Sequence, residues 1–264
     1  MENTKEKLDS FMINIVESVS GINNNLYRAM DYVARSGGKR IRGLLLMRLC
    51  ELLGVNSDDA LICATALEMI HNYSLIHDDL PGMDDDDFRR GMPACHKKFG
   101  EGIAILTGNG FYTLAIQLLI DGLDREVLPE VMKIVISNSG VTGLLNGQAQ
   151  DISKQQFQIN SEEDVVEIID LYYLKTGKLF EAAFLIPAIL AKCSPEVTEA
   201  LAESGGVLGV LYQLSDDVAD GHIDEDLAEE LKNSLLSRFY SAVDATNNSD
   251  LLIIKSFARQ ILDF

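Results

Sequence analysis

The run HDDLPGMDDDDFRRG places Asp78, Asp79, Asp84, Asp85, Asp86 and Asp87 directly before Arg89 and Arg90. Carboxylates this close repel one another, and their pKa values rise unless a cation sits among them. Their hard oxygens suit Mg²⁺, which retains waters and typically takes one or two carboxylates together with substrate phosphate oxygens. The arginines add planar, permanently charged forks for phosphate. An acidic run taken alone is as readily a solvated surface or a weak calcium loop. Here it closes an apolar segment, ALICATALEMIHNYSLI, and Pro81 and Gly82 then break the helix so that the later acids turn back towards Asp78.

A second cluster, YQLSDDVADG, carries Asp216, Asp217 and Asp220, with Gln213 one turn earlier on the stripe shared by Asp216 and Asp220. Three acids on a helix are often only a wet face. The preceding GGVLGVLYQL is apolar with three glycines, which predicts a closely packed helix with its polar end at a cavity. The basic residues are few and clustered. SGGKRIRG offers Lys39, Arg40 and Arg42 in a loop entering a helix, whose N-terminus adds backbone donors for an anion. His71 lies two helical turns before Asp78, on nearly the same face, where it is either a core histidine or part of a second anion site. LYYLKTGKLFEAA sets Lys175 and Thr176 in an apolar helix with Gly177 as a kink, so Lys175 either snorkels to the surface or meets an anion.

These groups are carried by a chain of 264 residues with a formal net charge of −19, which argues against nucleic acid as a partner. An acidic chain that binds an anion requires cations as intermediaries. No linker, repeat or low-complexity tract divides the chain, so a single domain over 1–264 is expected. No unbroken apolar run reaches the roughly 18 residues of a membrane span, and Cys50, Cys63, Cys95 and Cys193 are scattered without metal-like spacing. A soluble, unprocessed, cytoplasmic protein with reduced thiols is the expectation. Apolar residues recur at helical spacing nearly throughout, which predicts an all-α fold with helices near 4–20, 25–36, 40–54, 58–80, 94–121, 127–151, 162–192, 195–220, 225–240 and 249–262. Ser57 before Asp58 and Asp59, Ser161 in capping-box spacing with Asp164, and Ser194 before Pro195 mark helix starts. About ten such helices pack as a bundle around a deep central cavity, the setting in which facing side chains build metal sites.

From GGKRIR through EMIHNYSLIHDDLPGMDDDDFRRG, GQAQD, KTG and YQLSDD, the chain resembles the trans-isoprenyl diphosphate synthases, the farnesyl and geranylgeranyl diphosphate synthase group. That resemblance implies an all-helical homodimer of the isoprenoid synthase type; nucleic acid and an integral membrane segment are not expected, from the net charge and the short apolar runs. It implies a first metal site of Asp78, Asp79 and Asp84 and a second of Asp216, Asp217 and Asp220. Two or three Mg²⁺, with Mn²⁺ as a substitute, would hold the allylic diphosphate, assisted by Arg89, Lys175, Thr176 and Gln213. Isopentenyl diphosphate would lie on Lys39, Arg42, His71 and Arg90. Ionisation, condensation and proton loss would then lengthen dimethylallyl or geranyl diphosphate by five carbons. Tyr73 and Ser74, about one turn before Asp78, would floor the cavity and favour a C15 product over C10 or C20.

Three departures qualify the resemblance. The lysine-bearing loop usual after the last aspartate is shortened to GHIDEDLAEELKNSLLSRF, with Lys232 the nearest lysine; Tyr212 stands where phenylalanine is common, and Gly43 where proline is usual. The lost loop sustains an alternative, a non-catalytic or regulatory subunit of a prenyl diphosphate synthase. A calcium-binding helical protein leaves the arginines without a role, and a terpene cyclase leaves the isopentenyl-binding set superfluous.

Overall fold

The structure is a computed structural model that describes residues 2–153, 162–219, 223 and 225–262. Among these residues the secondary structure is helical apart from one two-stranded hairpin, which bears out the all-α expectation. The chain forms two compact units, Met1–Met47 with Asn56–Leu128, and Arg48–Val55 with Pro129–Phe264.

The first unit holds α1 (Glu2–Ser18), α2 (Asn24–Arg35), the start of α3 (Ile41–Leu52), α4 (Ser57–Asp78), the hairpin β1 (Phe88–Arg89) and β2 (Met92–Pro93), α5 (Cys95–Phe99) and α6 (Glu101–Gly122). Leu8, Met12 and Val16 form one fully buried stripe at i, i+4 and i+8 on α1. The α4 start falls one residue before the expected cap: Asn56 accepts from Asp58 N–H at 2.9 Å, and Ser57 is already helical. The expected 94–121 helix divides at Gly100 into α5 and α6. α6 is, by length and composition, apolar enough to cross a membrane, although polar residues interrupt its apolar runs. Its inner stripe, including Phe111, Ala115 and Leu119, is buried along α4, while Ile105, Leu106 and Ile120 on its other side are exposed.

The second unit contains the end of α3, then α7 (Leu128–Ser139), α8 (Leu144–Ser153), α9 (Glu162–Tyr172), α10 (Lys178–Leu190), α11 (Pro195–Ala219), α12 (Glu225–Ala245) and α13 (Ile253–Ile261). The predicted 127–151 helix breaks between Ser139 and Leu144, where Gly140 and Gly143 interrupt it. The predicted 162–192 helix is interrupted as well, by a π-helical turn over Tyr173–Gly177, the segment in which a kink is expected. Pro195 opens α11, and the Ser194 hydroxyl accepts from Val197 N–H at 3.4 Å. Ser161 lies outside the described residues.

α11 lies along α10 and the π turn more closely than ordinary side chains allow. A Cβ at Gly209 would sit 2.6 Å from the Gly177 Cα, which accounts for the small residues of GGVLGV. Gly209→Ala is therefore expected to lower stability by about 1–3 kcal/mol, the usual cost of overpacking. Chemical denaturation measures it.

Candidate active site

In the first unit α4 ends at the aspartate run, and the backbone beyond it folds back as the proline and glycine predict. Met83 N–H donates to Leu80 O at 2.8 Å and Asp84 N–H to Asp78 O at 2.9 Å, which brings the second group of acids over the first. Asp78 is half-buried and Asp84 exposed. Asp79 turns inward, 3% exposed at its side chain, and its Oδ1 accepts from Arg89 Nε at 2.8 Å and Nη2 at 2.5 Å. The same Nη2 reaches Asp86 Oδ2 at 2.5 Å. Burial raises the Asp79 pKa above its ordinary value, the Arg89 hydrogen bonds opposing that shift. Asp79 is thus the anchor of Arg89 in this unit.

The basic set gathers in the same unit. Lys39 is exposed just ahead of α3, and Arg42 Nη1 lies 3.4 Å from His71 Nε2. Burial, with Arg42 and Arg90 as adjacent positive charges, holds the His71 imidazole well below its ordinary pKa. A neutral ring accepts from Arg42 without adding to the repulsion among the cations. Arg90 Nη1 donates to Ser36 Oγ and its Nη2 to Asn72 Oδ1, each at 3.1 Å. Arg40, which has the left-handed backbone φ of 53°, is buried against Asp9 at 2.7 Å and has a structural rather than a ligand-facing place. The Tyr73 ring packs edge-on against His77 and Tyr112, at centroid distances of 4.9 and 5.2 Å, beside the buried Ser74.

In the second unit a chain of hydrogen bonds joins the π turn to the second cluster. Thr176 Oγ1 donates to Gln213 Oε1 at 2.7 Å, and Gln213 Nε2 donates to Asp217 Oδ1 at 2.8 Å. The buried Tyr172 hydroxyl donates to Asp217 Oδ2, and burial pushes its pKa well up. Asp216 is exposed, and Asp220 lies outside the described residues. Lys175 pairs with Asp151 on α8, which supplies the counter-charge that its apolar setting demands. Lys232 pairs with Glu229 on α12 at 3.5 Å.

Sequence patterns point to Thr176, Gln213 and Asp217, which prove to be one another's partners, and to Lys175, but not to its partner Asp151. Asp151 was visible only as the end of GQAQD. Tyr172 and Asn72 carried no signal, because each acts through a contact distant in sequence. Among the described residues no three His, Cys, Asp or Glu side chains form a ready-made metal cage. Pairs of carboxylates in a folded-back loop nevertheless fit Mg²⁺, which draws its other ligands from phosphate and water.

The fold is that of the isoprenoid synthases, as solved structures that superpose on it show. The FPP/GFPP synthase of Zymomonas mobilis superposes with a TM-score of 0.87 at 29% identity, covering 99% of this chain and 98% of that one. The geranyltranstransferase of Thermotoga maritima gives 0.83 at 30% identity, covering 99% and 98%. Residues 23–231 match the polyprenyl synthetase family, and the chain belongs to it. It is 37% identical to the farnesyl diphosphate synthase of Geobacillus stearothermophilus over 82% of this chain and 72% of that protein. It is 38% identical to geranylgeranyl pyrophosphate synthase 4 of Arabidopsis thaliana over 74% of this chain, a match spanning only 53% of that longer relative.

The glycine at 43 has a physical account. Its N–H donates to Glu68 Oε1 at 2.8 Å, and Glu68 is 1% exposed, so a proline would strip a buried carboxylate of a donor. A Cβ there would also stand 2.7 Å from Leu8 Cδ2. Although the first turn of a helix tolerates proline, Gly43→Pro is expected to cost at least ~2 kcal/mol, read as a lowered denaturation midpoint.

Proposed function

We propose that this chain is a Mg²⁺-dependent prenyl transferase that joins an allylic diphosphate to isopentenyl diphosphate. The observation that carries the proposal is the pairing, in one unit, of a folded-back aspartate loop with a separate cationic set. The loop includes Asp78, Asp84 and Arg89, and the set includes Lys39, Arg42, His71 and Arg90. One set suits a metal-bound diphosphate and the other a second diphosphate. A calcium protein needs no such set. The family match runs across both compact units, which supports treating them as one synthase domain.

Of the expected metal carboxylates in the first unit, Asp78 and Asp84 remain for one metal site while Asp79 is taken up by Arg89; of those in the second cluster, Asp216 and Asp220 remain for another while Asp217 is taken up by Tyr172 and Gln213. Bound Mg²⁺ would neutralise charge on the leaving diphosphate. Asp79 orients Arg89 towards that diphosphate, and Asp217, held by Tyr172 and Gln213, fixes the end of α11. Lys175 leaves Asp151 for the diphosphate as negative charge develops there, the electrostatic stabilisation that lowers such barriers. The allylic C–O bond breaks with its electron pair going to diphosphate, and the double bond of isopentenyl diphosphate attacks the allylic carbon. A proton then passes to the departed diphosphate. Neutral His71 and the cations Lys39, Arg42 and Arg90 hold the isopentenyl diphosphate.

The relatives include farnesyl and geranylgeranyl synthases, so product length is argued from this chain's own residues. The Tyr73 ring, braced by Tyr112 and His77, supports a short product, farnesyl diphosphate first. Exposed Ile105 and Leu106 on α6 support the expected homodimer, since apolar faces of that kind are covered in assemblies.

Purified chain incubated with Mg²⁺, isopentenyl diphosphate and dimethylallyl or geranyl diphosphate is expected to give condensation products. Activity appearing only with a second synthase chain would instead support the subunit alternative. Asp216→Ala is expected to lower turnover at least ~100-fold, and near-wild-type rates in a folded variant would remove the second cluster from the mechanism. Tyr73→Ala is expected to shift product towards C20 and beyond in chromatographic analysis; an unchanged C15 product would show that the floor lies elsewhere.

A further inference from the structure

Arg89 and Arg90 are neighbours in the chain but have opposite kinds of partner. Arg89 donates to two carboxylates, Asp79 and Asp86. Arg90 donates to two neutral oxygens, Ser36 Oγ and Asn72 Oδ1, both at 3.1 Å. Among the described residues no carboxylate lies within 4.0 Å of the Arg90 guanidinium, and its charge remains available to an anion.

Each partner is oriented for that single task. The Ser36 hydroxyl gives its proton to Val33 O at 2.8 Å, which turns its lone pairs to Arg90. Asn72 is 1% exposed, and its amide N–H points to Met12 Sδ at 3.4 Å, leaving Oδ1 for the guanidinium. Gly38, at φ 125°, leaves the seat itself open, because a Cβ there would come within 2.8 Å of Arg90 Cζ. Burial, with Arg40 as the next cause, lowers the Arg90 pKa to about 10, so the group is still cationic near neutrality.

We infer that Asn72 is a positioning residue, which with Ser36 and Gly38 aims Arg90 at the diphosphate of isopentenyl diphosphate without pairing its guanidinium directly with a carboxylate. The inference rests on the proposed role of Arg90 as an isopentenyl diphosphate ligand. Neutrality at position 72 is the working feature: a carboxylate of the same shape keeps the hydrogen bond and cancels the field.

Asn72→Asp is therefore the decisive variant. Its KM for isopentenyl diphosphate, and its Kd for that ligand by calorimetry, are expected to rise at least ~10-fold, with kcat and the KM for geranyl diphosphate within about threefold of wild type. A purely structural role would move both substrates together. Equal losses for the two substrates, or an unchanged isopentenyl diphosphate Kd, overturn the inference. Asn72→Ala supplies the second measurement, with a smaller selective loss expected; a folded Ala variant with wild-type Kd also overturns it. Calorimetry separates this inference from the catalytic proposal. A wild-type chain that binds isopentenyl diphosphate without condensing it sinks only the latter, whereas one that does not bind it sinks both.

Discussion

The Arg89 guanidinium, shared between the carboxylates of Asp79 and Asp86, is the contact on which the first half of the site depends. It ties the end of α4 to the hairpin that follows and draws two like charges together that would otherwise push the loop open. In a chain of net charge −19, positive groups are scarce. Nearly every one near the site is fixed by a partner: Arg89 by acids, Arg90 by neutral oxygens, Lys175 by Asp151. Arg89 and Arg90 are thus already placed before an anion binds, so less ordering of these two side chains remains to be done.

The second unit solves a different problem by similar means. A π turn at Tyr173–Gly177 displaces the helical register where Lys175 and Thr176 occur, and the Thr176, Gln213, Asp217 and Tyr172 side chains then link that turn to the end of α11. Close approach at Gly209 and Gly177 permits the link, since bulkier residues would hold the helices apart. Packing and polar chemistry are here a single arrangement: the glycines set the spacing that the hydrogen bonds require.

Much of this was legible in the sequence. Helical periodicity gave the fold class, Pro81 and Gly82 gave the fold-back of the aspartate loop, and the three glycines before YQLSDD gave the tight packing of α11. Structure and expectation differ where helices are interrupted. Gly100 divided one expected helix and the Gly140–Gly143 stretch another, because a glycine's effect on a helix depends on tertiary context as much as on propensity. Asn56, one residue before the expected Ser57, caps α4. The supporting residues were illegible for a plainer reason. Asn72 lies 18 positions from Arg90, and Tyr172 lies 45 from Asp217, distances over which no spacing rule operates.

The hairpin at Phe88–Pro93 carries one more implication. Residue 89 is in its first strand, and residue 90 turns away through a φ of 55°, so two identical side chains are sent to unlike surroundings by backbone geometry alone. Identity at these positions is therefore subordinate to count. Loss of a single residue between Asp86 and Arg90 would bring Arg90 to the place of Arg89 and Gly91 to the place of Arg90, so that one set of partners keeps a guanidinium and the other loses it. Length, more than lettering, is what this short segment must conserve.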